Sequence, residues 1–419
     1  PQSPQILLIS LPPSKSISAR ALIINALAEK ACPLQGLSDC DDTRALQSVL
    51  QGGADVGAAG TAMRFATAFL AATHGTERTL TGTPRMLRRP IAPLVDALRQ
   101  LGADIEYAGE EGFPPLVIRG RRLTTERLPL NSEGIPTLSI PAHISSQYVS
   151  ALMMIAPTLY SPLRSQGDQS SDEATGESSE GLGMALVLDG PIASRPYIEM
   201  TRALMDEWGC TTKWCDDKTL FINTCAYVRE APYVIEADWS AASYFLVADR
   251  TLQFPGLQYP SIQGDSVIVD MLQRLDVNVG TAEVLRLDFA SCPDLAQTMT
   301  VAACLAGQPF LFTGLSSLRI KETDRIAALT AECAKFGWNL SSPVPDTLAW
   351  NGVSLPAAES IEVQTYNDHR MAMAFAPCLL RYPYVTFDNP EVVSKSFPSF
   401  WKEFQKIIPQ SLLIIHSTL

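Results

Sequence analysis

The sequence "PSKSISARALIINALA", residues 13–28, joins a polar start to a run of small and apolar residues. Serine residues that begin a helix cap its free N–H groups, and the same N–H groups, together with the helix dipole, attract anions. Lys15 and Arg20 add two cations to this start. The stretch therefore predicts either an ordinary capped helix with two solvated charges or a binding site for a phosphate or a carboxylate.

The same arrangement occurs six times along the chain. In each copy a polar or charged start is followed by a helix that is apolar on nearly every side, which is typical of a buried helix. Because polar groups are costly to bury without a partner, we expect the six starts to serve a common site. The other five copies are "GTAMRFATAFLAA" from Gly60, "SSQYVSALMMIA" from Ser145, "DWSAASYFLVA" from Asp238, "PDLAQTMTVAACLAG" from Pro293 and "NDHRMAMAFAPCLL" from Asn367.

A second kind of helix has a one-sided apolar stripe, which predicts a surface helix that covers a core. The six stretches of this kind are residues 91–101, "DDTRALQSVL", "RPYIEMTRALMDEWG", "GDSVIVDMLQRLDV", "KETDRIAALTAECAKFG" and residues 397–407. Strand-like runs lie between the helices, among them "PLVIRG", "ALVLDG", "TLFINT" and "YVTFD". We therefore predict an α/β fold of two domains, each built from three repeated strand and helix units, with the six polar starts in one cleft between the domains.

The length of 419 residues exceeds one ordinary core and fits two domains. We place the first domain at residues 13–236 and the second at residues 1–12 together with 237–419. Residues 161–183 are poor in apolar residues and rich in Ser, Gly and acidic residues. This composition predicts a flexible surface loop inserted in the first domain.

The charge of the chain excludes some classes of partner. A net charge of −12 argues against a nucleic acid or an anionic membrane surface. Nine cysteines without a Cys-x-x-Cys pair indicate neither a disulfide framework nor a zinc ribbon, which favours a reducing compartment. With no membrane-length apolar run and no signal-peptide pattern at the start, we expect a cytoplasmic protein.

The chain also lacks the sequence patterns of common cofactor sites. It has neither a Walker loop nor a Gly-x-Gly-x-x-Gly run, so ATP and dinucleotides are not indicated. No His or Cys residues pair at the spacing of metal ligands. We therefore expect no cofactor and no metal.

The polar helix starts are rich in cations although the whole chain is acidic, which predicts a highly anionic substrate. Arg85, Arg325 and Arg370 are candidates for bidentate binding of carboxylate or phosphate, with a surface salt bridge as the alternative for each. Gly60 has no side chain, so a ligand oxygen can approach the backbone N–H groups there.

Two carboxylates are candidates for proton transfer. Asp294 and Glu322 lie beside apolar sequence that would raise their pKa values. Asp294 has the alternative role of a helix cap after Pro293. His369 fits either a proton shuttle or a structural histidine.

Seven segments together resemble the 5-enolpyruvylshikimate-3-phosphate synthase family, from Leu11 to about Phe404. They are "LPPSKSISARAL", "GTAMRF", "TGTPRM", "SSQYVSALMM", "KETDRI", "YNDHRMAMAF" and "SKSFPSFW". The resemblance implies two inverse α/β domains and transfer of the enolpyruvyl group of phosphoenolpyruvate to the 5-hydroxyl of shikimate 3-phosphate, with release of phosphate. It also implies a monomer that needs no cofactor.

The resemblance assigns roles to individual residues. The residues that would bind shikimate 3-phosphate are Lys15, Ser16, Arg20, Ser145, Ser146, Gln147, Ser194, Asp294, Ser317 and Lys321. The residues that would bind phosphoenolpyruvate are Lys15, Gly60, Arg85, Gln147, Arg325, Arg370 and Lys395. Asp294 would be the base on the 5-hydroxyl and Glu322 would handle the proton at the methylene carbon. Lys15 and His369 would assist catalysis.

The chain departs from the family pattern in four places. Ala58 stands where the family commonly has Asn, Phe65 where a proline is frequent, and Ser317 where an Asn often binds shikimate 3-phosphate. The stretch from Asp42 to Gly60 is also short, which implies that a strand and a turn are missing.

Two other functions compete with this interpretation. A UDP-N-acetylglucosamine enolpyruvyl transferase would have a Lys-Asn pair near its start and a cysteine on a mobile loop, whereas this chain has Lys15 and Ser16. A non-catalytic anion-binding protein would have no need of an acid and a base, so Asp294 and Glu322 argue against it.

Overall fold

The computed structural model describes residues 7–141, 145–160, 183–192 and 194–409. The chain divides into two compact units. Unit N is residues 15–235, and unit C is the chain up to Ser14 together with the chain from Glu236 onward.

Six α-helices form the frame of unit N within its described residues. Three of them, α1, α3 and α5, are buried on most sides, and α2, α4 and α6 bury one face. These are the two kinds of helix predicted from the sequence, and the prediction is confirmed for all six. The helices are α1 Lys15–Leu27, α2 Asp41–Leu50, α3 Gly60–Ala72, α4 Ala92–Gln100, α5 Ser146–Ile155 and α6 Arg195–Glu207.

The strands in the described part of unit N form three small sheets. One sheet has the order β2-β4-β3 with antiparallel pairs, and another has the order β5-β6-β8-β7 with β5 and β6 parallel. β1 and β9 pair in parallel. The bounds are β1 Leu34–Gln35, β2 Glu77–Leu80, β3 Asp104–Tyr107, β4 Leu116–Arg119, β5 Thr137–Pro141, β6 Gly183–Asp189, β7 Thr212–Trp214, β8 Thr219–Asn223 and β9 Tyr233–Val234.

Unit C is also built from helices and short strands. Its helices are α7 Trp239–Ala248, α8 Ile268–Asn278, α9 Ala296–Ala306, α10 Arg325–Lys335, α11 His369–Phe375 and α12 Phe400–Phe404. Its strands are β10 Leu285–Asp288, β11 Phe310–Thr313, β12 Leu348–Trp350, β13 Ile361–Val363 and β14 Val385–Phe387. The sheets have the orders β10-β11-β12 and β13-β14, the latter parallel. The predicted α/β fold is confirmed.

The core of unit C is built around α7, α9 and α11, the three remaining buried helices of the prediction. Phe245 of α7 lies 5.5 Å from Phe400 and 5.6 Å from Phe404, measured between ring centroids. Aromatic pairs at this distance add to the free energy of burial. In the described part of the chain, none of the helices is both long enough and apolar enough to cross a membrane.

Two of the predicted surface helices are shorter than their apolar stripes. α12 begins at Phe400 rather than Phe397, because Pro398 disfavours helical backbone in the residue before it. α10 begins at Arg325, because Asp324 caps it by accepting from the N–H groups of the next turn. Lys321 therefore precedes the helix in which the sequence pattern placed it.

The cysteine pattern indicates no disulfide framework, but in the described residues Cys210 and Cys225 form a disulfide. Cys210 follows α6 and Cys225 follows β8, and their Cα atoms lie 6.0 Å apart. The fold brings them together, so their spacing in sequence carries no signal. The predicted flexible loop, residues 161–183, lies outside the described residues apart from Gly183, which begins β6.

Gly337 ends α10 in a left-handed conformation, with φ of +82°. Its N–H donates to Ala334 O, and the N–H of Trp338 donates to Cys333 O, which satisfies the last carbonyls of the helix. A Cβ on Gly337 would overlap the carbonyl oxygen of Leu355. This position therefore tolerates no side chain.

We predict that Gly337→Ala lowers the melting temperature of the protein much more than Gly280→Ala does. Gly280 has a similar φ of +79° with nothing within 4 Å of an added Cβ, so its substitution carries only the left-handed strain of about 1–2 kcal/mol. Gly337→Ala adds a collision with backbone, worth a further ~2 kcal/mol or more. Thermal unfolding followed by circular dichroism measures both, and equal shifts would contradict the prediction.

Candidate active site

Arg20 on α1 is buried among neutral hydrogen-bond acceptors. Its guanidinium donates to Oγ1 of Thr201 (2.8 Å), Oγ of Ser150 (3.1 Å) and the carbonyls of Ser16 (2.9 Å) and Tyr197 (3.3 Å). Burial lowers the pKa of Arg20 to about 10. The guanidinium is thus held rigidly with a charge that these four partners do not neutralise.

The ring of Phe65 lies 5.4 Å from the Arg20 guanidinium carbon, and the ring of Tyr197 lies 5.7 Å from it. Aromatic faces attract a cation at this distance. Phe65 is one of the departures from the family pattern, and the structure gives it a packing role against Arg20.

Lys15, the first residue of α1, forms an ion pair of 3.3 Å with Oδ2 of Asp42 on α2. Both side chains are partly exposed, at 23% and 18%. Asp42 was not among the predicted site residues, because the segment "DDTRAL" predicts only the acidic first turn of a surface helix. The pair holds the lysine ammonium at the start of α1.

Two guanidiniums occupy the space beside Gly60 at the start of α3. A Cβ on Gly60 would lie 2.6 Å from Nη1 of Arg89 and 2.7 Å from Nη1 of Arg64. Arg64 is buried, and its Nη1 donates to the Gly60 carbonyl at 2.9 Å. Because the dipole makes a helix start positive, two more cations here produce a strongly positive local charge.

Arg89 is a residue that sequence reasoning missed. The segment "TGTPRMLRRP" contains three arginines, and the family pattern directed attention to Arg85. In the structure Arg85 is exposed just before a short 3-10 turn, and Arg89, at the end of that turn, reaches Gly60. The cluster of three arginines in this segment is the sequence feature that indicates Arg89 as a further candidate.

The start of α5 is joined to the start of α3. Ser145 caps α5 by accepting from the N–H of Gln147 (3.2 Å), and Nε2 of Gln147 donates to Oγ1 of Thr61 (2.9 Å). Ser146 is buried beside this cap. The predicted residues of the second and third helix starts of unit N are therefore neighbours.

Ser194 precedes α6 with φ of 55° and ψ of 49°, a left-handed conformation. Its side chain is buried. Left-handed backbone in a residue other than glycine carries strain, which commonly marks a functional position.

Arg325 in unit C contacts three carboxylates from three parts of the chain. Its guanidinium donates to Asp368 Oδ2 (2.7 Å), Asp294 Oδ1 (2.9 Å) and Glu322 Oε2 (2.8 Å). Burial opposes the charge of Arg325, but the three carboxylates outweigh it and raise its pKa above the usual value. One buried arginine thus fixes both predicted proton-transfer residues.

Asp294 lies between two guanidiniums. Its Oδ2 is 3.1 Å from Nη2 of Arg370, and its Oδ1 accepts from Arg325. The expected apolar surroundings of Asp294 and Glu322 are therefore wrong, because cations contact both carboxylates. The side chain of Asp294 thus pairs with the guanidiniums of both Arg325 and Arg370.

Arg370 is held in turn by Tyr244 of α7. Its Nη1 donates to the Tyr244 hydroxyl (3.2 Å) and to the carbonyl of Asp294 (3.4 Å). Burial, opposed by Arg370, raises the pKa of Tyr244 to about 12. The Tyr244 hydroxyl therefore stays neutral. Tyr244 was not predicted, because a tyrosine within the apolar segment "DWSAASYFLVA" is typical of a core residue.

The other predicted residues of unit C are Ser317, Lys321, His369 and Lys395. Asp368 caps α11 by accepting from the N–H of Arg370 (3.0 Å), and its Oδ1 lies 3.8 Å from Nδ1 of the buried His369. Lys395 donates to the carbonyl of Asn367 at 2.6 Å. Ser317 lies in a 3-10 turn, and Lys321 and Glu322 follow it, partly buried.

Comparison with known proteins shows the family of the chain. The family described as EPSP synthase (3-phosphoshikimate 1-carboxyvinyltransferase) matches residues 5–54, 53–162 and 177–404. A 3-phosphoshikimate 1-carboxyvinyltransferase of Bacteroides fragilis (strain YCH46) is 43% identical over 419 residues, which cover 95% of this chain and 94% of its own. One of Actinobacillus pleuropneumoniae serotype 3 is 32% identical over 445 residues, covering 95% and 96%.

A solved structure of EPSP synthase from Acinetobacter baumannii matches the fold with a TM-score of 0.71 at 19% identity, covering 96% of this chain and 97% of that one. The fold and the sequence matches define a transferase. The chain belongs to the EPSP synthase (3-phosphoshikimate 1-carboxyvinyltransferase) family.

Asp265, on the 3-10 turn before α8, is a further buried acid that sequence reasoning missed. The Ser240 hydroxyl donates to its Oδ2. Burial, opposed by Arg370, raises the pKa of Asp265 from the ordinary 3.8 to about 6. The folded protein therefore holds this proton more tightly than the unfolded chain does.

We predict that Asp265→Asn stabilises the protein at alkaline pH. The raised pKa means that the folded state favours the protonated form of Asp265. The free energy of unfolding is therefore highest below about pH 4, and it falls as the pH rises through about 6 and the buried acid ionises. Asparagine cannot ionise, so the variant should gain about 2–3 kcal/mol at about pH 8 and nothing below about pH 4. Melting temperatures across this range measure the difference, which a pH-independent shift would contradict.

Proposed function

We propose that the residues of the two units carry out the family's reaction, the transfer of the enolpyruvyl group of phosphoenolpyruvate to the 5-hydroxyl of shikimate 3-phosphate. One observation carries the assignment of the chemistry. Arg325 holds Asp294 at 2.9 Å and Glu322 at 2.8 Å, so the two groups that the reaction needs for proton transfer share one buried anchor.

The cations of unit N support binding of two anionic substrates. Arg20, with Lys15, Ser16, Ser145, Ser146, Gln147 and Ser194, would bind shikimate 3-phosphate. Arg20 supports this role because its four hydrogen-bond partners are neutral, which leaves its charge to be matched by a ligand.

Phosphoenolpyruvate would bind to the residues that the resemblance to the family implies, which are Lys15, Gly60, Arg85, Gln147, Arg325, Arg370 and Lys395. The two arginines beside Gly60 support an anion at the start of α3. The three carboxylates around Arg325 support a positioning role for it, in addition to the contact that the resemblance implies.

The proposed reaction has two steps that balance. Asp294 takes the proton of the 5-hydroxyl as the hydroxyl oxygen bonds to C2 of phosphoenolpyruvate. Glu322, which acts in its protonated form in this step, delivers a proton to the methylene carbon. The bond between C2 and the phosphate oxygen of the resulting tetrahedral ketal then breaks, and the leaving phosphate takes the proton held by Asp294. Glu322 takes back a proton from the methyl group, which restores the double bond. Fixed cations offset the negative charge of the two substrates throughout.

Release of phosphate from phosphoenolpyruvate tests the proposal. We expect release that depends on shikimate 3-phosphate and none with UDP-N-acetylglucosamine. Release with the second acceptor alone would identify the rival enolpyruvyl transferase, and binding of both substrates without release would identify an anion-binding protein.

We predict that Asp294→Asn binds shikimate 3-phosphate nearly normally and loses about 10²–10⁴-fold in kcat. The base is gone, but the side chain keeps its shape, and Glu322 and Asp368 still pair with Arg325. Isothermal titration and steady-state kinetics measure the two effects. The matched control is Asp276→Asn, which removes an exposed pair with Arg250 and should leave kcat unchanged. A loss of less than about tenfold would show that another group is the base.

We predict that Gly60→Ala raises the KM for phosphoenolpyruvate and leaves the KM for shikimate 3-phosphate almost unchanged. The added methyl group would displace the guanidiniums of Arg64 and Arg89, whose Nη1 atoms are within 2.7 Å of its position. Alanine favours helix by about 1 kcal/mol over glycine, so the fold should persist. An equal rise in the KM values for both substrates would show that Gly60 does not lie at the phosphoenolpyruvate site.

A further inference from the structure

Tyr366 and Asn367, the left-handed pair, precede α11 with φ of 55° and 54°. Residues other than glycine rarely adopt this left-handed backbone conformation. It costs about 1–3 kcal/mol per residue and persists only where surrounding contacts impose it. The pair lies directly before Asp368, His369 and Arg370. A strained backbone at this position needs a structural cause.

The cause is a buried carboxylate on α10. The side chain of Glu332 is 1% exposed. Its Oε1 accepts from the Tyr366 hydroxyl (2.9 Å), and its Oε2 accepts from the N–H of Gln364 (3.0 Å) and from Nζ of Lys335 (2.7 Å). Glu332 therefore fixes both the backbone before the left-handed pair and the side chain within it.

The same helix holds the other end of this segment. Arg325 and Glu332 are seven residues apart, which places them on one face of α10, two turns from each other. Arg325 binds Asp368, and Glu332 binds Gln364 and Tyr366. Residues 364–368 are thus attached to α10 at both ends.

The left-handed pair determines where the Asn367 carbonyl points. That carbonyl accepts from Nζ of Lys395 at 2.6 Å, and Oδ1 of Asn367 accepts from Nδ2 of Asn389 at 3.2 Å. An ammonium has three donors, of which the carbonyl takes one. The position of the Lys395 charge therefore depends on the backbone that Glu332 and Tyr366 hold.

We propose that Glu332 and Tyr366 are positioning residues that place the Lys395 ammonium for the anionic substrate. The inference rests on the proposed function, in which Lys395 binds phosphoenolpyruvate. Glu332 and Tyr366 act through the Asn367 carbonyl and touch no substrate themselves. Loss of the Tyr366 hydroxyl should therefore weaken binding of phosphoenolpyruvate and leave the chemical step intact.

Tyr366→Phe is the first test, because it removes one hydroxyl and leaves the ring. We expect the KM for phosphoenolpyruvate to rise about fivefold to tenfold, with kcat and the KM for shikimate 3-phosphate unchanged. The control is Tyr384→Phe, which alters an exposed tyrosine of the same unit and should change no kinetic constant. An unchanged KM for phosphoenolpyruvate in Tyr366→Phe, or an equal rise in both KM values, would overturn the proposal.

A double-mutant cycle with Lys395→Met shows whether Tyr366 acts through the lysine. We expect Lys395→Met alone to raise the KM for phosphoenolpyruvate, and Tyr366→Phe to add nothing in that background. Full additivity would overturn the positioning role. If Lys395→Met alone has no effect, the assignment of Lys395 in the proposed function fails, which is a separate result from failure of the positioning role.

Glu332→Gln extends the test to the carboxylate. Its amide still has an oxygen that can accept from Tyr366, but its NH₂ group cannot accept from Gln364 or Lys335. We expect the same selective rise in the KM for phosphoenolpyruvate, and an unchanged KM would contradict the role of Glu332. Should this variant fail to fold, Tyr366→Phe and the cycle still decide the proposal.

Discussion

The arrangement of unit C depends on the buried guanidinium of Arg325. Moving a charged group out of water costs several kcal/mol, which only well-placed opposite charges offset. Asp294, Glu322 and Asp368 supply them from the start of α9, the approach to α10 and the start of α11. Because loss of any one partner leaves charge uncompensated, the three segments have one favourable relative position. The network therefore determines the place of the proposed base and acid.

Arg20 in unit N is an instructive contrast. It is as deeply buried as Arg325, yet its hydrogen-bond partners are hydroxyls and carbonyls, and burial lowers its pKa to about 10. A guanidinium among neutral acceptors still attracts an anion. The charge of a guanidinium among carboxylates is already largely neutralised by them. The two buried arginines therefore suit different proposed tasks, substrate binding for Arg20 and positioning of the proposed base and acid for Arg325.

The sequence predicted the parts of the fold that depend on local pattern. All six buried helices are confirmed, because a helix apolar on every side can be recognised from composition and spacing alone. The contacts that depend on distant segments escaped prediction. Glu332, three residues before Lys335, reads as half of an exposed ion pair on a surface helix, and its burial against Tyr366 follows only from the fold. The same holds for Arg89 beside Gly60.

The departures from the family pattern are consistent with a redistribution of charge at the start of α3. Ala58 is exposed and offers no side-chain amide, but the guanidiniums of Arg64 and Arg89 both reach Gly60, two residues further on. Phe65, in the second turn of the same helix, contacts Arg20 through its ring. A guanidinium carries five donors and a full charge, so two of them exceed what one amide would supply to a phosphate. The start of α3 therefore has two guanidiniums that suit an anion, although position 58 offers no side-chain amide.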